Sequence, residues 1–168
     1  MVIWDFNENK NYIKVGEYKV LNLPDADKAS DLLNDIDILI VKALISIEMV
    51  EKRTPEINIL LQTPYVLQEM QLLKDQGSIK FEGLNKPKDV VKTNKIPVGE
   101  DCKLRAKYRR IFLTLRRRNG CLKTLKELRK LIAHELTHTA MNHVRWREDD
   151  HDEKFNYYNK LILSYLEI

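Results

Sequence analysis

The chain has 168 residues, of which 43% are hydrophobic and 32% are charged, and this composition excludes a disordered or fibrous protein. Five glycines and five prolines leave no room for a long linker, so we predict one domain over residues 1–168. The most apolar run, residues 36–50, is interrupted by charged side chains and predicts no membrane span. Two cysteines, Cys102 and Cys121, exclude a disulfide framework, and no signal-peptide pattern opens the chain. We therefore expect an intracellular protein that is not secreted.

The net charge of +4 is distributed unevenly along the chain. Residues 103–130 contain twelve basic residues and a single acid, Glu127, whereas residues 148–153 are mostly acidic. A basic segment of this density predicts contact with nucleic acid or with an acidic protein surface. An ordinary solvated face explains it equally well, and both interpretations stay open at this point.

The N-terminal third of the chain predicts β structure followed by a long helix. Residues 1–21 are rich in β-formers, with a turn expected at residues 7–9. Pro24 and Asp25 mark the start of a helix over about residues 26–52, whose apolar residues form one broad stripe. This segment is predicted to be a long helix packed in the core.

The middle of the chain carries weaker signals. Residues 56–61 are mostly apolar and partly β-branched and predict a strand, whereas residues 64–73 predict a short helix or an irregular segment. A turn at residues 75–78 and a short strand at residues 79–81 follow. Residues 83–101 contain two glycines and two prolines and predict an extended loop.

Residues 111–115 predict a strand that ends in a turn at Asn119 and Gly120. We expect that this strand either lies at a sheet edge, where it pairs with an extended substrate through main-chain hydrogen bonds, or packs under the following helix. The two roles are compatible.

The strongest local signal is an amphipathic helix of roughly 18 residues that begins after Thr124. Thr124 and Glu127 have the spacing of a capping box, in which each side chain binds the backbone amide of the other residue. The apolar residues that follow recur at helical spacing: Leu125, Leu128, Leu131 and Ile132. A final apolar face, over Phe155 to Tyr165, predicts a closing helix.

The predicted helix carries the pattern His134-Glu135-Leu136-Thr137-His138. Residues four apart share one helix face, so both imidazoles can reach one metal ion. Glu135 lies one step from His134 and can reach a water on the open side of that ion. This is the HExxH pattern of zinc peptidases, in which the glutamate acts as general base.

A catalytic zinc ion usually takes three protein ligands, and all four histidines of the chain lie between residues 134 and 151. The candidates for the third ligand are His143 and His151. A continuing helix would rotate His143 well away from His138, whereas a loop before His151 lets the chain reverse toward the metal. We favour His151. The two cysteines are predicted to be buried thiols rather than ligands.

The spacing from the HExxH pattern to His151 and Phe155 resembles the HExxH…H-x-x-x-F layout of the WLM and SprT-like zinc metallopeptidases. Residues 83–85, Gly-Leu-Asn, and the strand 113–116, which ends in arginine, also resemble WLM domains. The gap to the last histidine is closer to the SprT-like spacing, and residues 142–151 are similar to WLM-like proteins encoded by large DNA viruses. The resemblance covers roughly residues 80–168 and is specific from residue 131 to residue 155.

The resemblance implies an α+β fold: a small zincin-like domain with a twisted mixed sheet, a long N-terminal core helix, an HExxH active-site helix and a C-terminal helix. It implies a Zn²⁺ ion held by His134, His138 and His151, with Glu135 as general base and an aromatic residue packed beneath the site. Zinc-dependent hydrolysis of peptide bonds follows, with a protein or peptide as substrate, including proteins bound to DNA.

Several polar residues are candidates for supporting roles around that site. A ligating histidine needs an acceptor for its second ring nitrogen, and three aspartates are near enough in sequence to serve: Asp149, Asp150 and Asp152. Candidates for stabilising a developing oxyanion are Tyr157, Tyr158 and His143.

The alternative function is a structural component of a virion or capsid, built on a metallopeptidase scaffold and in contact with other virion proteins. A protease or binder associated with nucleic acid through residues 103–130 is a third possibility. Under all of these hypotheses we expect the protein in the cytoplasm or nucleus of a host cell, or packaged in the virion, with no membrane partner.

Overall fold

The computed structural model describes residues 11–71, 82–93, 98, 102–145 and 150–168. Within these ranges the fold is α+β, with four helices, a three-stranded mixed sheet and two small antiparallel sheets. The α+β fold class predicted from the sequence is therefore confirmed. The turns predicted at residues 7–9 and 75–78 and the strand predicted at residues 79–81 lie outside the described residues.

The N-terminal elements are a hairpin and a long helix. Strands β1 (Tyr12–Val15) and β2 (Tyr18–Leu21) pair antiparallel, which confirms the predicted β structure for this part of residues 1–21. Helix α1 (Ala26–Val50) begins directly after Asp25 and matches the helix predicted over about residues 26–52. Its inner stripe forms much of the core: Ala29, Leu33, Ile36, Ile40, Ala43 and Ile47.

Residues 56–61 form a helix, so the predicted strand is wrong. Helix α2 (Pro55–Gln62) has proline in its first turn, and the hydroxyl of Thr54 accepts a hydrogen bond of 3.3 Å from the backbone amide of Ile57. Proline at a first helical position and threonine before it are both helix-start signals. These capping residues outweigh the β-branched side chains, because a short segment with four apolar residues among six fits either structure by periodicity alone.

The prediction for residues 64–73 is also wrong. A short helix or an irregular segment was expected there, but residues 65–69 form strand β3 (Tyr65–Glu69). Strand β3 pairs in parallel with β7 (Tyr108–Leu113), more than forty residues later in the chain. The residues of β3 alone do not indicate this pairing, because the backbone hydrogen bonds that define the strand are made with a distant segment of the chain.

The predicted loop 83–101 is also wrong in its first part, which forms strand β4 (Gly83–Lys88) and the short strand β5 (Val91–Lys92). Strand β4 pairs antiparallel with β7, and β5 pairs antiparallel with β6 (Leu104–Arg105). Part of the predicted loop therefore consists of two strands, β4 and β5, each of which is paired with a later strand of the chain.

The order of the mixed sheet is β3-β7-β4, so β7 is the central strand. The strand predicted at residues 111–115 is confirmed at residues 111–113, and it begins earlier, at Tyr108. Of the two roles expected for it, that of an edge strand is wrong. Its two neighbours occupy both sets of its backbone groups. Among the described residues β4 is the edge strand nearer to the helix that follows.

The C-terminal part contains two packed helices, α3 (Leu125–Ala140) and α4 (Glu153–Tyr165). The predicted capping box at Thr124 and Glu127 is present, and Asp152 caps α4 by accepting a hydrogen bond of 2.9 Å from the amide of Phe155. Their inner faces complete the core with these residues: Leu128, Ile132, Leu136, Phe155, Tyr158 and Ile162.

A buried ionic cluster connects the sheet to the start of α1. Arg116 Nε donates to Oε2 of Glu69 at 2.8 Å, and its Nη1 lies 2.8 Å from a carboxylate oxygen of Asp25. The backbone amide of Leu21 donates to the other oxygen of Glu69 at 2.9 Å. Arg116, which follows strand β7, therefore has a carboxylate partner on the sheet and another just before α1.

None of the helices in the described part of the chain is both long enough and apolar enough to cross a membrane.

Candidate metal centre

Helix α3 presents His134 and His138 on one face, one turn apart. The capping box fixes where this helix starts, and a buried stripe including Leu128 and Ile132 fixes its rotation against the core. The face with the two histidines is half-buried and is directed toward the start of α4. The Nε2 atoms of the two imidazoles lie 3.3 Å apart.

His151, just before α4, completes the group. Its Nε2 lies 3.3 Å from Nε2 of His134, and the ligand atoms of His134, His138 and His151 all lie within 4.8 Å of one another. In a tetrahedral site with bonds of about 2.0–2.1 Å, two ligand atoms are roughly 3.3–3.4 Å apart. Both contacts of His134 match that spacing, and the third pair, His138 and His151, lies within 4.8 Å, so the three donors could hold one cation.

Burial keeps the two helix histidines in the neutral form that binds metals. Burial is the main cause that lowers the pKa of His134 to about 4 and that of His138 to about 2, and neighbouring histidines lower both further. A neutral imidazole has one ring nitrogen with a free lone pair. At neutral pH no proton has to leave these rings before they can bind a cation.

Glu135 is buried against strand β4, with 3% of its surface exposed. Burial raises the pKa of its carboxyl group to about 8 in the metal-free protein. Its side chain lies close to Gly83, where an added Cβ would be 2.7 Å from Oε2 of the carboxylate. A cation among the histidines would favour ionised Glu135, because a nearby positive charge lowers a carboxyl pKa.

Phe155 forms the floor of the site. It is 1% exposed, and the centroid of its ring lies between 4.7 and 6.0 Å from the centroids of all four histidine rings. The position four residues after His151 therefore packs beneath the site, as the resemblance predicted. An apolar floor limits the rotation of the imidazoles and excludes water from one side of the group.

His143 is not part of the converging group. Helix α3 ends in a Schellman motif, in which the amide of Asn142 bonds the carbonyl of Thr139 and the amide of His143 bonds the carbonyl of His138. The imidazole of His143 then lies beside that of His138, with 2.7 Å between their Nδ1 atoms. It contacts the ring on the side away from Nε2, which supports His151 as the third ligand.

Two polar residues to which the sequence assigned no role at the site form hydrogen bonds with the backbone of helix α3 and of a residue just beyond its end. The side-chain amide of Asn85, on β4, donates 2.7 Å hydrogen bonds to the carbonyl of Glu135 and to Oγ1 of Thr139. Arg109, on β7 and 1% exposed, donates to the carbonyl of His143 at 2.7 Å. Asn85 belongs to the Gly-Leu-Asn triplet quoted above, whereas nothing local distinguished Arg109 from the other basic residues around it.

The remaining predicted site residues have other positions. Asp152 caps α4, Asp150 approaches His143 rather than a ligand, and Asp149 lies outside the described residues. The hydroxyl of Tyr158 lies 3.0 Å from both Thr54 and Glu56, and Tyr157 is 62% exposed. Cys102 is half-buried and Cys121 exposed, so the prediction of buried thiols is wrong; neither belongs to the histidine group.

In the folded protein the basic side chains of residues 103–130 do not all reach the surface. At least six of the twelve basic residues are buried or interact with other residues of the protein: Arg109, Arg110, Arg116, Arg117, Lys123 and Arg129. Lysines 103, 107, 126 and 130 are exposed. A nucleic-acid surface therefore stays a prediction, with fewer available cations than the sequence count suggested.

Comparison with family models, with curated proteins and with solved structures found no match for this chain. The resemblance to WLM and SprT-like metallopeptidases therefore rests on the residues themselves.

Proposed function

We propose that this protein is a zinc-dependent metallopeptidase of the WLM or SprT-like kind, with His134, His138 and His151 as ligands and Glu135 as general base. One observation carries the proposal: three imidazole nitrogens from two separate segments converge within 4.8 Å, beside a buried glutamate. Sequence spacing alone does not require His151 to approach the helix pair, which makes this convergence informative.

The donor set fits zinc better than other common cations. Three neutral imidazoles with no carboxylate among them are the ligands of several catalytic zinc sites, whereas Mg²⁺ and Ca²⁺ prefer oxygen ligands. Bound zinc would act as a Lewis acid and lower the pKa of a coordinated water to near 7. The side of the group away from Phe155 is where such a water and the substrate would enter.

Glu135 would take a proton from the attacking water on its carboxylate and return it to the departing amine. Among the described residues no side chain donates a hydrogen bond to this carboxylate, so its oxygens stay available as acceptors. Asn85 binds the backbone carbonyl of Glu135, not its side chain, and so orients the residue without competing for the proton. Burial keeps the carboxylate desolvated and therefore more basic.

No strand in the described part of the chain pairs with the outer edge of β4, and this edge fits an extended peptide. The amide of Thr114 donates to the carbonyl of Glu82, so the even-numbered residues of β4 point their backbone groups toward β7. The backbone groups of Gly83 and Asn85 then point outward, where a substrate strand can pair with them. Pro87 lacks an amide at the next outward position, so this ladder would end there.

The test measures zinc first and cleavage second. The purified protein should contain one zinc ion per chain, and it should cleave an unfolded protein such as reduced casein. Glu135→Gln should keep the zinc and lose at least 100-fold of the activity, because general-base catalysis contributes about 10²–10⁴-fold. Glu167→Gln, an exposed glutamate near the C-terminus, is the matched control and should cleave normally.

The outcomes separate the candidate functions. A protein that binds no zinc ends the proposal. Zinc with equal cleavage by wild type and Glu135→Gln, or with none by either, removes the catalytic role and favours the structural alternative, which purified virus particles would test by stoichiometry. Action on DNA-bound substrates requires DNA affinity that falls steeply as salt rises, and salt-independent or absent binding contradicts it.

A further inference from the structure

His143 makes four contacts with the residues around the histidine group, two through its backbone and two through its ring. Its amide bonds the carbonyl of His138 at 3.2 Å, and its own carbonyl accepts a hydrogen bond of 2.7 Å from buried Arg109. Its ring lies parallel to that of Phe155, with an angle of 2° between the planes. Its Nδ1 meets Nδ1 of His138 at 2.7 Å.

The backbone of Asn142 makes this arrangement possible. Asn142 has φ of 54°, the left-handed conformation that ends a helix in a Schellman motif, and asparagine is one of the few residues besides glycine that adopts it readily. This conformation turns the chain back, so the second residue after the helix cap lies over the residue five positions earlier. Here those residues are His143 and His138, and a hydrogen bond replaces the apolar contact that usually accompanies the motif.

The proton positions follow from the chemistry of a ligating imidazole. If Nε2 of His138 holds a cation, the single proton of the neutral ring must be on Nδ1, where it needs an acceptor. The atom 2.7 Å away is Nδ1 of His143, which can accept only if the proton of His143 is on Nε2. That nitrogen lies 3.8 Å from a carboxylate oxygen of Asp150, the kind of partner that favours a proton there.

We propose that His143 is a positioning residue for the metal centre: it accepts the Nδ1–H of His138 and thereby fixes the tautomer and ring orientation of that ligand. The negative charge of Asp150, 3.8 Å from Nε2 of His143, favours the proton on that nitrogen and so leaves Nδ1 of His143 able to accept. The inference rests on the proposed function, because it assigns a partner to a ligand of the same zinc site.

The first measurement is the zinc affinity of the whole protein, determined by competition with a chromophoric chelator. His143→Leu removes the acceptor but keeps an apolar side chain against Phe155, and it should weaken zinc binding about 10–100-fold. His143→Asn is the conservative variant, because its side-chain oxygen occupies nearly the place of Nδ1. It should bind zinc within a few-fold of the wild type.

The second measurement reads the tautomers directly in the unmutated protein, so it does not depend on how the variants fold. In long-range ¹H–¹⁵N spectra of the zinc-loaded protein, His143 should appear as a neutral ring with its proton on Nε2, and His138 with its proton on Nδ1. A proton on Nδ1 of His143 would leave no acceptor for His138 and overturns the inference.

The outcomes keep the two proposals apart. A wild-type protein without zinc affinity overturns the proposed function, and the inference with it. A wild type that binds zinc, with a His143→Leu variant of equal affinity, overturns the inference alone. Equal losses of zinc affinity in His143→Leu and His143→Asn also overturn it. They would show that the packing of the imidazole ring matters and that the hydrogen-bond acceptor at Nδ1 does not.

Discussion

Gly83 and Glu135 are in contact across the interface between strand β4 and helix α3: a Cβ atom on Gly83 would lie 2.7 Å from Oε2 of Glu135 and 2.7 Å from Cδ1 of Leu131. Real Cβ atoms do not approach heavy atoms so closely, so any larger residue at this point of the strand would displace the ends of these two side chains. The close approach explains how the carboxylate can be buried beside the sheet edge.

Gly83→Ala is therefore expected to displace the carboxylate of Glu135. Overpacking of this kind costs about 1–3 kcal/mol of unfolding free energy, and peptidase activity should fall while zinc content stays normal, since no ligand is touched. Gly120→Ala is the control: it makes the same chemical change at a glycine with no neighbour within 4 Å and φ of 88°. It should lose stability through backbone strain but keep its activity per folded molecule, and equal losses of activity in the two variants would contradict the prediction.

The buried carboxyl group of Glu135 predicts how the stability of the metal-free protein depends on pH. Its ordinary pKa is 4.5 and burial raises it to about 8, so between these values the folded state binds more protons than the unfolded chain. The free energy of unfolding should then fall as pH rises from about 5 to 8, by about 3–5 kcal/mol relative to Glu135→Gln.

Chemical denaturation of both proteins in a chelating buffer, at steps of pH, measures this difference. Saturating zinc should remove most of it, because the cation favours the ionised carboxylate. A difference between wild type and Glu135→Gln that does not change over this pH range would contradict the burial of an ionisable group at this position.

Zinc should stabilise the folded protein by mass action. At a free concentration 100 times the dissociation constant, a ligand that binds only the folded state adds about 2.7 kcal/mol to the unfolding free energy. His151→Ala removes one donor of three and should abolish most of this gain, whereas Asn156→Ala, at an exposed position on α4, should keep it. Thermal unfolding with and without zinc measures both, and a full zinc shift in His151→Ala would exclude it as a ligand.

The cluster of Arg116 with Glu69 and Asp25 predicts a large effect on stability and none on chemistry. Arg116→Met leaves Glu69, which is fully buried, without its cationic partner, and breaking a buried pair costs about 3–5 kcal/mol. Arg117→Met breaks the adjacent but exposed ion pair with Glu127 and should change stability little. Denaturant titration compares the variants, and similar losses in both would contradict the assigned role of burial.

The sequence alone was sufficient for elements whose signals are local. The capping box at Thr124 and Glu127 and the apolar repeat after it predicted helix α3 and placed His134 and His138 on one face. The β-formers of residues 12–21 and the apolar stripe of α1 predicted these elements for the same reason: their patterns span only neighbouring residues.

The errors fall where a segment depends on distant partners. Strands β3 and β4 both pair with β7, and neither has a pattern that identifies it without that partner. Helix α2 differs from the predicted strand because its apolar residues fit either structure by periodicity, whereas Thr54 and Pro55 mark a helix start. The central position of β7 followed only from the order of the assembled sheet.

For the metal centre, the amino-acid sequence determined which residues could bind zinc, because the HExxH spacing already places two imidazoles and a carboxylate on adjoining faces of one helix. Only the tertiary structure decided that His151 approaches them, that Gly83 makes room for Glu135, and that His143 lies beside His138. These contacts join segments that are separate in the chain, and their geometry is set by the packing of α3 on β4 and α4 and by one left-handed residue at a helix end.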